Sequence, residues 1–290
     1  MAREYDRPML RDPDEVSREQ YPGFPIWQNA RRELYKYAPS GIDIWEKALI
    51  DLDPHPEVSF ADAGCGDGMS AMKLADWGHQ GPIYAFDMQP NNYLVANQIA
   101  EERGHENITF HQSDIRNLRI NGERIPDGFF DVVRAEFVLY HITDPMSALE
   151  ELVRVAKPGG KVQASSRSVR NQSRLWEFAD NIARDLGIEA PELFYTNFDI
   201  QMTGDGLEAI CGSVYAKYIQ EEPLHIPAEG WIDYKMAQLS LMPSCRPAPR
   251  ASVYQNAIDR LVKPQFDAEV AQRGYFTDYV SQGYFICIKK

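Results

Sequence analysis

The sequence predicts an α/β protein built on a doubly wound sheet of seven strands, and three observations carry that prediction. Between Val58 and Met69 a short apolar run closes on Asp62 and then places glycines at alternate positions, Gly64, Gly66 and Gly68. About twenty residues past the first glycine, a second apolar run from Ile83 closes on another acid, Asp87. From there strand-like runs alternate with helix-like stretches, the order that a sheet with crossover helices on its faces requires.

Taken in order, Met1 to Gln20 is rich in Arg, Asp, Glu and Pro without an apolar period, and reads as a loose arm. Turn residues and aromatics follow from Tyr21 to Trp27. Residues 26–52 read as one or two helices that offer Trp27, Leu34, Ile42, Trp45, Leu49 and Leu52 for packing. The first strand runs into the glycine turn, and Ser70 to Trp77 has the composition of a helix. Ile83 to Asp87 is the second strand, and a third begins at Ile108 and ends near Asp114 and Ile115. The fourth, Phe129 to Val133, leads into the segment Arg134 to Asp144. Pro145 to Ala156 then forms an amphipathic helix with Leu149, Leu152, Val153 and Ala156 on one stripe. Lys157-Pro-Gly-Gly160 closes it ahead of a fifth strand, Lys161 to Ser166.

Beyond that strand, Ser173 to Leu186 reads as a helix, Asp205 to Cys211 as a short one, and Gly212 to Ile219 as the sixth strand. Gly283 to Lys289 is the last strand. The residues between carry helical spacing over Glu229 to Leu241 and Ser252 to Arg273, on either side of a Pro-rich break. The expected organisation is an arm and helical lid over 1–52, a core over 53–220, a helical insertion or cap over 221–282, and a final core strand over 283–290.

The glycine spacing separates two ligand classes. A dinucleotide fingerprint needs Gly-x-Gly-x-x-Gly, so that a helix can start close under a pyrophosphate. Here the spacing is Gly-x-Gly-x-Gly, preceded by Asp62, a carboxylate that would repel a pyrophosphate but suits an ammonium group. This pattern, the acid at Asp87, the Asp114-Ile115 pair and the segment from Arg134 to Asp144 resemble the class I S-adenosylmethionine-dependent methyltransferases. Within that superfamily the likeness is to the ubiquinone and menaquinone biosynthesis group and to natural-product methyltransferases.

The resemblance implies a Rossmann-like, mostly parallel sheet, S-adenosyl-L-methionine as cofactor and a small-molecule methyl acceptor. It places Asp62 at the ammonium of the cofactor, and Ala63, Gly64, Cys65 and Gly66 along its methionine part. Asp87 would take the ribose hydroxyls, Met88 would lie against the adenine, and Asp114 and Ile115 would read the adenine edge. Ala135 and Glu136 would line the methionine half near the sulfonium. Methyl transfer to a nucleophile is an in-line displacement, so a general base is needed only when the acceptor must lose a proton. His141 has the pKa class for that task, and packing of the helix is the competing role. Tyr21, Trp27, Tyr140, Arg167, Trp231 and Tyr234 are candidate walls of the acceptor pocket. Arg134, Arg167 and Arg170 could recognise an acidic acceptor or simply face solvent.

Composition narrows the partners. A formal net charge of −13 over 290 residues argues against a nucleic-acid backbone, because phosphate binding relies on Lys and Arg. Cys65, Cys211, Cys245 and Cys287 are scattered without Cys-x-x-Cys spacing, so neither a metal centre nor a disulfide framework is expected, and a reducing cytoplasmic setting is. Residues 1–20 are too charged for a signal peptide, and no apolar run approaches a membrane span. A homodimer is compatible with the insertion. The alternatives are methylation of protein or RNA, a cofactor-binding protein without turnover, and a dehydrogenase, which the glycine spacing disfavours.

Overall fold

A computed structural model describes residues 30–191, 193 and 197–290; Tyr21, Trp27 and the expected arm lie outside the described residues. Seven strands form one sheet: β1 (Phe60–Ala63), β2 (Ile83–Asp87), β3 (Ile108–Gln112), β4 (Phe130–Glu136), β5 (Ala156–Arg167), β6 (Val214–Ile226) and β7 (Phe276–Ile288). Their order is β3-β2-β1-β4-β5-β7-β6. All pairs are parallel except those of β7, which lies antiparallel between β5 and β6. The chain therefore starts in the middle of the sheet, winds outward to β3, and returns across β1 to β4, which leaves a switch point between β1 and β4. A ligand crevice forms at such a point, outside the carboxyl ends of the strands.

Helices α1 (Ile44–Leu52), α2 (Met69–Asp76), α3 (Pro90–Arg103), α4 (Pro145–Val155), α5 (Ser173–Leu186) and α6 (Ile200–Cys211) pack on the sheet. Their starts are set locally. The Asp43 side chain accepts from the N–H groups of Trp45 and Glu46, Asp144 caps α4, and Asp199 caps α6. The Asp199 cap is why α6 begins at Ile200, ahead of the expected Asp205. In the centre Phe60, Phe86 and Phe130 are fully buried, each worth about 1.5–3 kcal/mol of transfer free energy.

The carboxyl-terminal pairing departs from expectation. β6 and β7 are each 13 residues long and pair from Val214 with Cys287 to Ile226 with Phe276. The second half of β6 carries Gln220, Glu221, Glu222 and Pro223, which obscure its strand character in sequence. β6 is the edge of the sheet, where exposed polar side chains and a proline lacking its N–H are tolerated. The insertion thus shrinks to residues 227–275, with helices α7 (Trp231–Leu239), α8 (Ala251–Leu261) and α9 (Lys263–Arg273). Here α8 and α9 break at Val262, just ahead of Pro264.

The expectation of unpaired cysteines is also corrected. Cys211, at the end of α6, and Cys287, on β7, form a disulfide with a Cα–Cα distance of 6.4 Å across 76 residues of sequence. The antiparallel return of β7 brings them together, which no local spacing could announce. Among the described residues, no helix is long and apolar enough to cross a membrane.

The insertion packs away from the switch point. Tyr234 is fully buried, donates to Asp278 on β7 at 3.1 Å and meets Phe276 edge to face, while Trp231 packs on Phe266 of α9. α7 also grips the turn that precedes α1. The Tyr37 hydroxyl donates to Asp233 at 2.6 Å, and Lys36 pairs with the same carboxylate at 2.9 Å. Asp278 in turn caps α5, accepting from the N–H groups of Arg174 and Leu175.

Candidate active site

One cleft opens at the carboxyl ends of β1 to β5, and its floor is the glycine turn after β1. Gly64, Gly66 and Gly68 all take positive φ, +78°, +57° and +74°, angles that residues with a Cβ adopt only under strain. The turn is pinned to β2, because the N–H groups of Gly64 and Cys65 donate to the Phe86 carbonyl at 2.7 and 2.9 Å. A Cβ on Gly64 would lie 2.6 Å from Val138. The chain after β4 therefore presses directly on the turn.

Asp87 stands at the end of β2 beside this turn. It accepts from the Gly66 N–H at 2.9 Å, the Gln89 N–H at 2.8 Å and the Asn92 side chain at 3.3 Å. Burial nevertheless raises its carboxyl above the usual carboxylate range, against those hydrogen bonds. Asp62, 2% exposed on β1, also lines the cleft, and its Oδ2 has no hydrogen-bond partner. Burial pushes its carboxyl up to about 7; the guanidinium of Arg134 works in the opposite direction, and Glu136, Asp87 and Asp67 add to the rise.

Arg134 does not stand at the edge of the cleft as its sequence position suggests. It sits in register with Asp62 on β1 and with Gln163 on β5, is fully buried, and pairs with Glu136. Glu136 also accepts from the Ser70 hydroxyl at 3.2 Å. A buried cation between Asp62 and Glu136 offsets part of the cost of burying two acids. Arg170, the other expected edge cation, lies outside the cleft and faces Glu221 at 3.8 Å.

Gly64, Cys65, Gly66, Met88, Asp114 and Ile115 line the same cleft as Asp62 and Asp87, and so do Glu136, Tyr140, His141 and Arg167. Burial holds the Cys65 thiol well above its usual pKa, so it is a filler of the floor rather than a nucleophile. Asp114 is engaged by Arg116 through Nη2 at 2.7 Å and Nε at 3.0 Å. Ala63 and Ala135 are fully buried core residues and do not line the cleft. Strand alternation turns each to the opposite face from its neighbours Asp62 and Glu136. Trp231 and Tyr234 are absent from the lining as well, since both belong to the packing of the insertion.

The far wall adds Arg32, Trp45 and Phe137, which the sequence did not single out for the site, to the expected Arg167, Tyr140 and His141. Arg32 lies over Trp45 at 4.2 Å, Trp45 packs on Phe137 at 5.0 Å, and Arg167 lies over the other part of that stack, 4.4 Å from Phe137. Arg167 also donates to the Tyr140 hydroxyl at 2.6 Å. His141 adjoins Tyr140. Desolvation, and then repulsion from Arg31 and Arg167, push its imidazole down to about 3, so it is neutral across the physiological range.

With this geometry in hand, known proteins supply the family. Residues 54–201, half of the chain, match the family described as a methyltransferase domain. The chain belongs to that family. Among curated relatives, the demethylmenaquinone methyltransferase of Anoxybacillus flavithermus is 35% identical over 102 residues, which cover 35% of this chain and 41% of the relative. The chain thus spans less than half the length of the curated relatives it matches. Two solved structures share the fold: YcgJ of Bacillus subtilis, with a TM-score of 0.52 and 19% identity over 85% of this chain and 97% of that one, and the SpnF cyclase, with a TM-score of 0.52 and 17% identity over 84% of this chain and 79% of that one.

In this cleft the buried Asp62 makes a signed prediction. Its folded pKa, about 7, lies above the unfolded value of 3.8, so its stabilising contribution is complete below 3.8 and is lost as pH rises through 7. A ligand ammonium seated on Oδ2 favours the carboxylate and must displace the proton. If Asp62 takes that ammonium, the affinity for S-adenosylhomocysteine should rise from pH 5 through 7 and level off above it, with net proton release on binding at pH 6. Calorimetry in buffers of differing ionisation heat measures this, and Asp62→Asn should flatten the profile. A flat wild-type profile would remove Asp62 from the ammonium site.

Proposed function

We propose that this methyltransferase binds S-adenosylmethionine across the glycine turn and transfers its methyl group to a small molecule held against the far wall. The observation that supports this most strongly is the orphaned Oδ2 of Asp62, buried in the same cleft as Asp87 and the left-handed glycines. The residues present fit the cofactor. Asp62 would accept from its ammonium, Gly64 and Gly66 leave room for its methionine part, and Asp87 would hold the ribose hydroxyls. Met88 and Ile115 offer apolar surface to the adenine.

When bound, the cofactor supplies an electrophilic methyl group on sulfur. The protein's share is to orient the acceptor in line with it and to keep water out, which is where most of the rate of such displacements arises. His141 faces the acceptor region, but a proton gained there would sit beside Arg31 and Arg167. Its role is therefore to shape the wall as a neutral group, and the acceptor either arrives ionised or loses its proton to solvent.

Because a cyclase shares the fold, the fold alone does not fix the reaction. Calorimetry with S-adenosylmethionine, S-adenosylhomocysteine and NAD tests the reading: the first two should bind in the micromolar range and NAD should not. Equal or tighter binding of NAD, or no binding of the other two, would reject it.

A further inference from the structure

Resting on that reading of the cleft, we propose that the methyl acceptor is an organic anion, held by Arg31, Arg32 and Arg167 at the end of the cleft opposite the cofactor acids. The cleft wall is divided by charge. Its acids, Asp62, Asp67, Asp87, Asp114 and Glu136, lie on the floor and on the side of β2 and β3. Arg116 on that side pairs with Asp114, Nε donating to Oδ1 and Nη2 to Oδ2. The three other arginines that line the cleft come from the segment before α1 and from the end of β5. In a chain of net charge −13 such a grouping is not a matter of composition.

These guanidinium groups are held in place by aromatic rings. Arg32 lies on Trp45 and Arg167 on Phe137, with the two rings in contact between them. A guanidinium stacked by its face presents its N–H groups at the edge, as Arg167 does in donating to the Tyr140 hydroxyl, and that geometry suits in-plane acceptors such as a carboxylate. Arg31 belongs to the same group, because it lines the same cleft next to Arg32 in the chain.

Gln172 supplies a second observation. It is 1% exposed, lines the cleft, and donates through Nε2 to the Arg31 carbonyl at 2.8 Å, while its Oε1 is buried without a partner. Gln172 and Phe137 also have φ of +52° and +51°, left-handed angles unusual for residues with a Cβ. Backbone strain of this kind persists where the surroundings over-determine it, commonly at ligand clamps. The orphaned Oε1 is an acceptor, so it calls for an N–H or O–H donor on the ligand. An acceptor molecule with an anionic group toward the arginines and a donor toward Gln172 meets both demands.

Benzoate and benzamide, alike in shape and unlike in charge, test this by calorimetry on the intact protein, with and without saturating S-adenosylhomocysteine. Benzoate should bind at least tenfold more tightly than benzamide. Arg167→Met should abolish that preference and Arg167→Lys should restore part of it, with S-adenosylhomocysteine binding as the check that each variant is folded. If Arg167→Met does not fold, Arg32→Met serves in its place and should weaken benzoate several-fold without affecting benzamide. Benzamide binding as tightly as benzoate, no benzoate binding to the protein loaded with S-adenosylhomocysteine, or a preference that survives both methionine variants would overturn the anion assignment. A benzoate preference in a protein that fails to bind S-adenosylhomocysteine would instead leave the anion site standing and reject the cofactor reading.

Discussion

Gly66→Val should abolish measurable binding of S-adenosylmethionine while leaving a cooperative unfolding transition. Gly66 has φ +57° and lines the cleft, and its N–H is one of the donors that fix Asp87. Valine is doubly unsuited to that position. Its branched Cβ disfavours the left-handed region, at roughly 1–3 kcal/mol for a residue forced there, and its methyl groups would occupy the space left for the ligand. Against a domain stability of about 5–15 kcal/mol that strain is survivable, so binding is lost before the fold is. Gly64→Val is the contrasting case, because its Cβ would lie 2.6 Å from Val138 and the fold itself should suffer. Calorimetry together with thermal unfolding separates the two. Normal binding by the Gly66 variant would mean that the cofactor does not cross this turn.

Asp87→Ala should weaken S-adenosylmethionine binding by more than tenfold. A charge-assisted hydrogen bond is worth about 1.5–3 kcal/mol, and about 1.4 kcal/mol already corresponds to a decade in affinity. The ribose offers two hydroxyls, so the loss can approach a hundredfold or more. Removing the carboxylate also strips the Gly66 and Gln89 N–H groups of their acceptor, which loosens the floor of the cleft. Asp87→Asn keeps the shape and one acceptor oxygen, and should fall between wild type and alanine. Unchanged affinity in the folded alanine variant would take Asp87 out of the site.

The sequence by itself determined the floor of the cleft. Asp62, the alternating glycines and Asp87 are legible because each is a local consequence of a strand ending in a turn, and local patterns survive in a linear reading. The order of strands and helices, and with it the switch point that makes a crevice, follows from the same periodicities. Tertiary structure decided the rest. Arg31 and Gln172 are 141 positions apart in the chain and are joined by a hydrogen bond. Arg134, with the sequence look of an edge cation, is buried because the β1–β4 register sets it beside Asp62. The long β6–β7 pairing and the Cys211–Cys287 link depend on an antiparallel return that no spacing encodes.

The insertion makes the same point from the other side. Its aromatics have the composition of a pocket wall, yet Tyr234 is spent on Asp278 and Asp233 holds Tyr37. Through those contacts it braces the start of α5, where Gln172 sits, and the turn that follows Arg31 and Arg32. Whether a polar side chain faces a ligand or anchors the element that does is fixed by which surfaces meet across the fold. Those meetings are long-range, and their energies leave no period in the sequence.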